Sequence, residues 1–381
     1  MTKYSRRDFI KQMGALAALA LAGQSGYSAP LFPDSEKAGT FDFLVVGDSL
    51  VWGQGLREEH KFYHLTKEWL RAEVFKNTRE INVKVKAHSG ASMNLRPFES
   101  DALEKAEIGE TEFYHPEVNV SFPSINAQID VARKEYKNSE SVGLIMLTGG
   151  ITDIRLSVIL NPLKDNDELK REIVRHCNEK MFEMLTKAAT EFPNALIVVV
   201  GYYPFLSKYT PARVMLNNLL EIYEFPRPLK SAINNPLNRR LLKRYRKKMI
   251  ERSMIWAQDS TREFKKAVER LNTESGKQRA VFVESPIKEE NSIAAKKPLV
   301  YETGKKGKAQ DALAKERLKV CDETIDELKK LTDLKFRART CELATTGHPN
   351  VEGSKAIAEA IQDTLKPFFT VEHQANKVSN L

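Results

Sequence analysis

Five short runs rich in apolar and β-branched residues recur along the chain, at 41–46, 81–87, 142–147, 196–200 and 280–284. None alternates strictly between apolar and polar residues, so each is expected to be buried on both faces, and helix-period segments separate most of them. This pattern constrains the chain to the α/β class: a three-layer α/β/α sandwich around a mainly parallel five-stranded sheet, with crossover helices covering both faces. Helices are predicted over 58–75, 124–136 and 168–190, and a last one over 351–365 closes the fold. With 41% of residues apolar, the chain holds enough material for one large core, read as a single domain over 30–381.

Two connections depart from this plan. Residues 201–279 are too many for a simple crossover, which predicts a basic helical insertion over about 205–275, a candidate lid or docking face at the carboxyl end of the sheet. The polar stretch 288–309, with Gly304-Lys305-Lys306-Gly307-Lys308, reads as a mobile loop, and the chain after Thr370 is expected to fray.

The first 29 residues read as a twin-arginine export signal. Ser5-Arg6-Arg7-Asp8-Phe9 precedes an apolar stretch too short to span a bilayer, and Ala20-Leu21-Ala22 or the region of Ala29 offers small residues for cleavage. The expected location is periplasmic or extracellular. No later run is long enough to cross a membrane.

The net charge of +9 is uneven, with Arg239, Arg240, Lys243, Arg244, Arg246, Lys247 and Lys248 crowded together. Such a stretch suits an anionic surface such as phospholipid, lipopolysaccharide or acidic glycan, while a solvated helix face is the plainer reading. Nucleic acid is the weakest partner for an exported protein. Of three cysteines, Cys177 falls on the apolar face of a helix pattern and reads as a small buried hydrophobe. Cys321 and Cys341, twenty residues apart, are candidates for a disulfide. No paired-cysteine cluster or His-x-x-x-His is present, so neither a metal site nor a cofactor is implied.

Chemistry enters with Gly47-Asp48-Ser49-Leu50 at the end of the first run. In an open α/β sheet the strands' carboxyl ends form the ligand crevice, so the Ser49 hydroxyl is expected to face substrate. Gly347-His348-Pro349-Asn350, just before the last helix, supplies a base, and the pair points to nucleophilic acyl transfer. The plainer alternatives are a capping serine and a turn histidine. Asp48 reads as an acid that orders the turn. Ser89-Gly90 follows the second run, and Gly149-Gly150-Ile151-Thr152-Asp153 follows the third.

Taken in order, these four pieces resemble the GDSL or SGNH hydrolase superfamily, serine esterases and lipases on a flavodoxin-like sandwich. The resemblance spans essentially the whole chain after the signal. It implies Ser49 as nucleophile, His348 as general base, and an oxyanion site built from the backbone N–H groups of Ser49 and Gly90. Two departures stand out. Thr152 replaces the family's asparagine, leaving a shorter hydroxyl as the third oxyanion donor, and Thr345 replaces the aspartate that precedes the histidine. Thr345 and Glu342 are then the candidates for orienting the ring. Val51-Trp52-Gly53-Gln54-Gly55-Leu56, Ile159-Leu160-Asn161-Pro162 and the two outer cysteines look like markers of a secreted branch. Trp52 is a candidate for either the pocket wall or the core. The expected function is an exported ester hydrolase working through an acyl-serine intermediate. The same residues also fit acyl transfer to an alcohol, or a weakly active protein that binds an envelope glycan or lipid.

Overall fold

The computed structural model describes residues 39–212, 239–303, 308–336 and 338–378. The expected export signal, residues 213–238 of the expected insertion and residues 304–307 lie outside the described residues.

Five strands form one sheet: β1 (Thr40–Val46), β2 (Glu80–Val85), β3 (Val142–Leu147), β4 (Leu196–Val200) and β5 (Ala280–Val283). Their order is β2-β1-β3-β4-β5 and every neighbouring pair is parallel. β3 and β4 are buried along their whole length, as their continuous apolar sequences require, whereas β2 at the edge exposes Glu80 and Asn82. Helices Phe62–Trp69 and Val351–Val378 pack together on one side; Met181–Glu191 packs on Ile125–Glu135 and on Arg239–Ser275 on the other. The result is a three-layer α/β/α sandwich. Its chain reverses direction across the sheet between β1 and β3, the switch point at whose carboxyl end ligands bind in such folds.

The predicted helix over 58–75 is a 3₁₀ turn, an α-helix and a π turn in succession, and the one over 168–190 carries a π turn at Arg175–Lys180. Cys177 faces the core from that turn, fully buried and unpaired, as its pattern suggested.

Three expectations need correction. Arg239–Ser275 is a single helix that buries Met249, Trp256, Phe264 and Leu271, so this part of the segment read as an insertion is the crossover from β4 to β5. The fully buried Arg252 anchors it, donating to the carbonyls of Val158, Ile159, Lys164 and Asp165 at 2.6–3.1 Å. Of its basic residues, Arg246 is spent on the carbonyls of Lys208 and Thr210, while Arg240, Lys243, Arg244 and Lys247 face solvent. The second correction concerns 288–309. Ile293, Ala295 and Val300 are buried, and 299–301 lie along the loop that carries His348. Its polar composition masked the few apolar anchors that pin it. Third, the last helix does not end at 365 as predicted but runs on through Pro367 to Val378. Among the described residues no helix is long and apolar enough to cross a membrane.

Candidate active site

Ser49 begins a one-turn helix immediately after β1, and the turn is held from three directions. Gly47 adopts φ 141° with Thr148 so close that a Cβ has no room, which excludes other residues there. The buried Gln128 carboxamide accepts from Gly47 N at 2.8 Å and donates to Gly47 O at 3.1 Å. Asp48 caps the helix by accepting from Leu50 N at 3.0 Å, and also accepts from the Thr148 hydroxyl at 2.8 Å and from Tyr202. Burial pushes its carboxyl up, while those hydrogen bonds pull it back. Asp48 is therefore an ordering residue with its oxygens occupied.

His348 is presented by a small antiparallel ladder. Tyr301 N donates to His348 O at 2.8 Å, Gly347 N to Tyr301 O at 2.9 Å, and Asn350 N to Leu299 O at 3.0 Å. The Tyr203 hydroxyl adds a bond to Gly347 O at 2.8 Å. This brings His348 Nε2 to 2.7 Å from Ser49 Oγ across 299 positions of sequence. Ser49 is largely buried, at 9% exposure, and is part of the lining of a cleft.

Both residues line a cleft of about 460 Å³ together with Gly90, Thr152 and Asn119, with walls that include Phe205, Phe336, Leu156 and Leu343. The backbone N–H groups of Ser49 and Gly90 have no acceptor among the described residues, and the Thr152 hydroxyl makes no hydrogen bond there either. Gly90 sits at φ 81° against Asn119 Oδ1 and Val120 O, where any Cβ would collide. The cleft thus collects a hydroxyl, an imidazole and two unsatisfied amide donors.

The orienting candidates fare differently. Thr345 donates its hydroxyl at 2.9 Å to Asp311 and not to the histidine ring, although its carbonyl receives His348 N at 2.9 Å. The Glu342 carboxylate pairs with Arg339, which removes it as the ring's partner. Among the described residues the buried His348 Nδ1 makes no hydrogen bond meeting normal geometry, and the carbonyls of Thr345 and Ala344 are the groups that favour its proton. Trp52 does not reach the cleft. Its Nε1 donates to Glu117 at 2.8 Å, and Lys61 Nζ lies 3.1 Å from its ring centroid.

Behind the histidine lies a charged cluster that no motif announced. Arg317, its side chain fully buried, grips Asp311 with two bonds of 2.8 and 2.7 Å, reaches Glu117 at 3.3 Å and donates to Glu342 O at 3.2 Å. Asn119 was also missed, having no flanking pattern. Burial chiefly, and then the Arg317 charge, lowers the His348 pKa to about 4, with Asp311 opposing. The ring is therefore neutral over most of the pH range and free to accept a proton. Only that neutral form can act as base, so the acid limb of any serine-dependent kcat/KM profile is expected near pH 4 instead of near 6.5. A profile recorded from pH 3.5 to 8 checks this; a limb centred near 6.5 contradicts it.

Cys321 and Cys341 form a disulfide with Cα atoms 6.1 Å apart, and Asn119 N donates to Cys341 Sγ at 3.4 Å. The bridge sits in a second, smaller core with Leu103, Phe122, Ile325 and Leu328, and ties the helix Ala314–Leu331 to the segment that leads into His348. Replacing both cysteines with serine is expected to lower unfolding stability by about 3 kcal/mol, measurable by denaturant titration. An unchanged midpoint would show that packing alone holds the two segments. Among the described residues no cluster of metal-ligating side chains occurs.

No family model matches the chain, and no curated protein matches it in sequence. Solved structures with a similar course include an extracellular lipase from Streptomyces rimosus (12% identity, 85% of this chain and 99% of that one, TM-score 0.42). A phospholipase A1 from Streptomyces albidoflavus matches likewise (12% identity, 85% and 99%, TM-score 0.41). A putative arylesterase from Agrobacterium tumefaciens follows (12% identity, 86% and 99%, TM-score 0.37). At such identities and scores the likeness carries no argument about this chain's activity, which rests on its own geometry.

Proposed function

We propose that this protein is a serine ester hydrolase of the GDSL or SGNH type, working through an acyl-serine on Ser49. The observation that carries the reading is the 2.7 Å contact between Ser49 Oγ and the neutral His348 ring, inside a cleft where two backbone N–H groups lack acceptors. Ser49 Oγ forms a bond to the ester carbonyl carbon while its proton passes to His348 Nε2. The carbonyl electrons move onto oxygen, which the N–H groups of Ser49 and Gly90 receive. On collapse the C–O bond to the alcohol breaks and the leaving alkoxide takes the proton from Nε2. Water then repeats the sequence and frees the acid.

The two replacements find compensation nearby. Asn119 lines the cleft with its Oδ1 toward Gly90, and its carboxamide makes no hydrogen bond among the described residues, which leaves Nδ2 to serve beside the Thr152 hydroxyl as a fourth oxyanion donor. In place of the family's aspartate, Asp311 supplies a negative charge that favours the protonated ring through space, without a hydrogen bond to it. We also retain the export reading of residues 1–29, which places the reaction outside the cytoplasm.

A chain-length series of 4-nitrophenyl esters, with Ser49→Ala and His348→Ala as controls, tests the proposal. Turnover above both controls, falling off at one chain length, is the expected result. Absence of turnover on every ester would instead favour the binding-protein reading, for which the unheld Nδ1 of His348 is the specific support.

A further inference from the structure

Resting on the hydrolase reading, we infer that the substrate is an anionic ester, carrying a carboxylate, phosphate or sulfate near the scissile bond, received by Arg155 and Lys335. Among the described residues, the ionisable side chains along the cleft, other than His348 and the tyrosines, are Arg96, Arg155, Lys335 and Glu99. Glu99 is already committed: it is 4% exposed and accepts from the Ser121 hydroxyl at 2.7 Å and from Arg96 N at 3.0 Å, with the Arg96 guanidinium 3.6 Å away. Arg155 and Lys335 are exposed and have no acidic partner among the described residues. Two positive charges therefore open onto a cavity whose walls are otherwise largely apolar, and a low-dielectric wall strengthens their attraction for a bound anion.

Arg155 also holds a backbone conformation that glycine would hold more easily, φ 71° and ψ 133°, at the junction of two one-turn helices and three residues after Thr152. Strain of this kind persists where the rest of the structure enforces it, and it concentrates at ligand sites. Arg155 thereby lines the same cleft as Ser49, Gly90 and Thr152. A neutral ester would gain nothing from either charge.

The test compares esters matched in length on either side of the scissile bond. For the acyl side, mono-4-nitrophenyl glutarate is set against 4-nitrophenyl pentanoate; for the alcohol side, 4-carboxyphenyl pentanoate against 4-carbamoylphenyl pentanoate. On at least one pair the wild type is expected to favour the anion by about tenfold in kcat/KM at low salt, an advantage that shrinks at high ionic strength. Arg155→Gly, which suits the backbone conformation, should keep the wild-type Tm yet lose most of the advantage, and Arg155→Lys should restore it. Lys335→Ala should lose the remainder. Hydrolysis of both members of each pair at ratios unchanged by these substitutions would overturn the inference while leaving the hydrolase reading intact. If no ester turns over, calorimetry on Ser49→Ala with monobenzyl glutarate against benzyl pentanoate still decides: tighter binding of the anion that needs Arg155 supports the inference, and equal affinities overturn it.

Discussion

Ser49→Ala and His348→Ala are each expected to lower kcat for ester hydrolysis by about 10⁴-fold or more, and the double variant to be scarcely worse than either single one. In the proposed mechanism the two side chains act as one device, the ring taking the proton that the hydroxyl releases, so removing either removes both. Folding should be unaffected by Ser49→Ala. Among the described residues the hydroxyl's one side-chain hydrogen bond is to His348, while the turn that carries it is held by Gly47, Asp48, Thr148 and Gln128. Far-UV circular dichroism and Tm alongside kcat separate a catalytic defect from a folding one. Additive losses, with the double variant equal to the product of the singles, would mean that serine and histidine act independently.

Arg317→Met is expected to lower unfolding stability by about 3–5 kcal/mol. The substitution leaves the Asp311 and Glu117 carboxylates without their cation in a place where Arg317 itself has no exposure. Breaking a buried pair is worse than never having had it, because the surviving charge is stranded. The same substitution removes the positive charge that depresses His348, so in molecules that remain folded the acid limb of the rate profile should move upward from near 4. Replacing Arg317 and Asp311 together, with Met and Leu, should recover part of the stability. Chemical denaturation of the three variants measures the first effect and the pH profile the second. Equal stability of Arg317→Met and wild type would show that the cluster contributes nothing net.

The fold was legible because the signal for a parallel sheet is strong and local. Two of the five predicted strands match in both bounds, and the errors of one to two residues at the others fall at β1, β2 and β5, where burial is incomplete and polar residues intrude. The serine, the glycine after β2, the threonine after β3 and the late histidine were all nameable from sequence, since each lies at a strand end or just before a helix. What the sequence hid was everything that depends on long-range pairing. Lys288 to Ala309 looks like a polar loop until Val300 is seen packed beside Pro349. Asp311, Arg317 and Glu117 are ordinary charges in a chain with 29% charged residues, and only burial distinguishes them. Asn119 lies in a loop with no motif around it, and its place beside Gly90 arises from tertiary contact alone. The length of the β4–β5 connection suggested an insertion, because helix periodicity does not reveal which helix faces are covered.

Covalent labelling tests the central claim most directly. The purified protein is treated with a fluorophosphonate, which reacts with activated serines, and the modified peptide is identified by mass spectrometry. The account predicts a single adduct on the peptide containing Ser49, formed at pH 5 as readily as at pH 7 and absent from His348→Ala. No adduct, or one on another serine with Ser49 untouched, would contradict it.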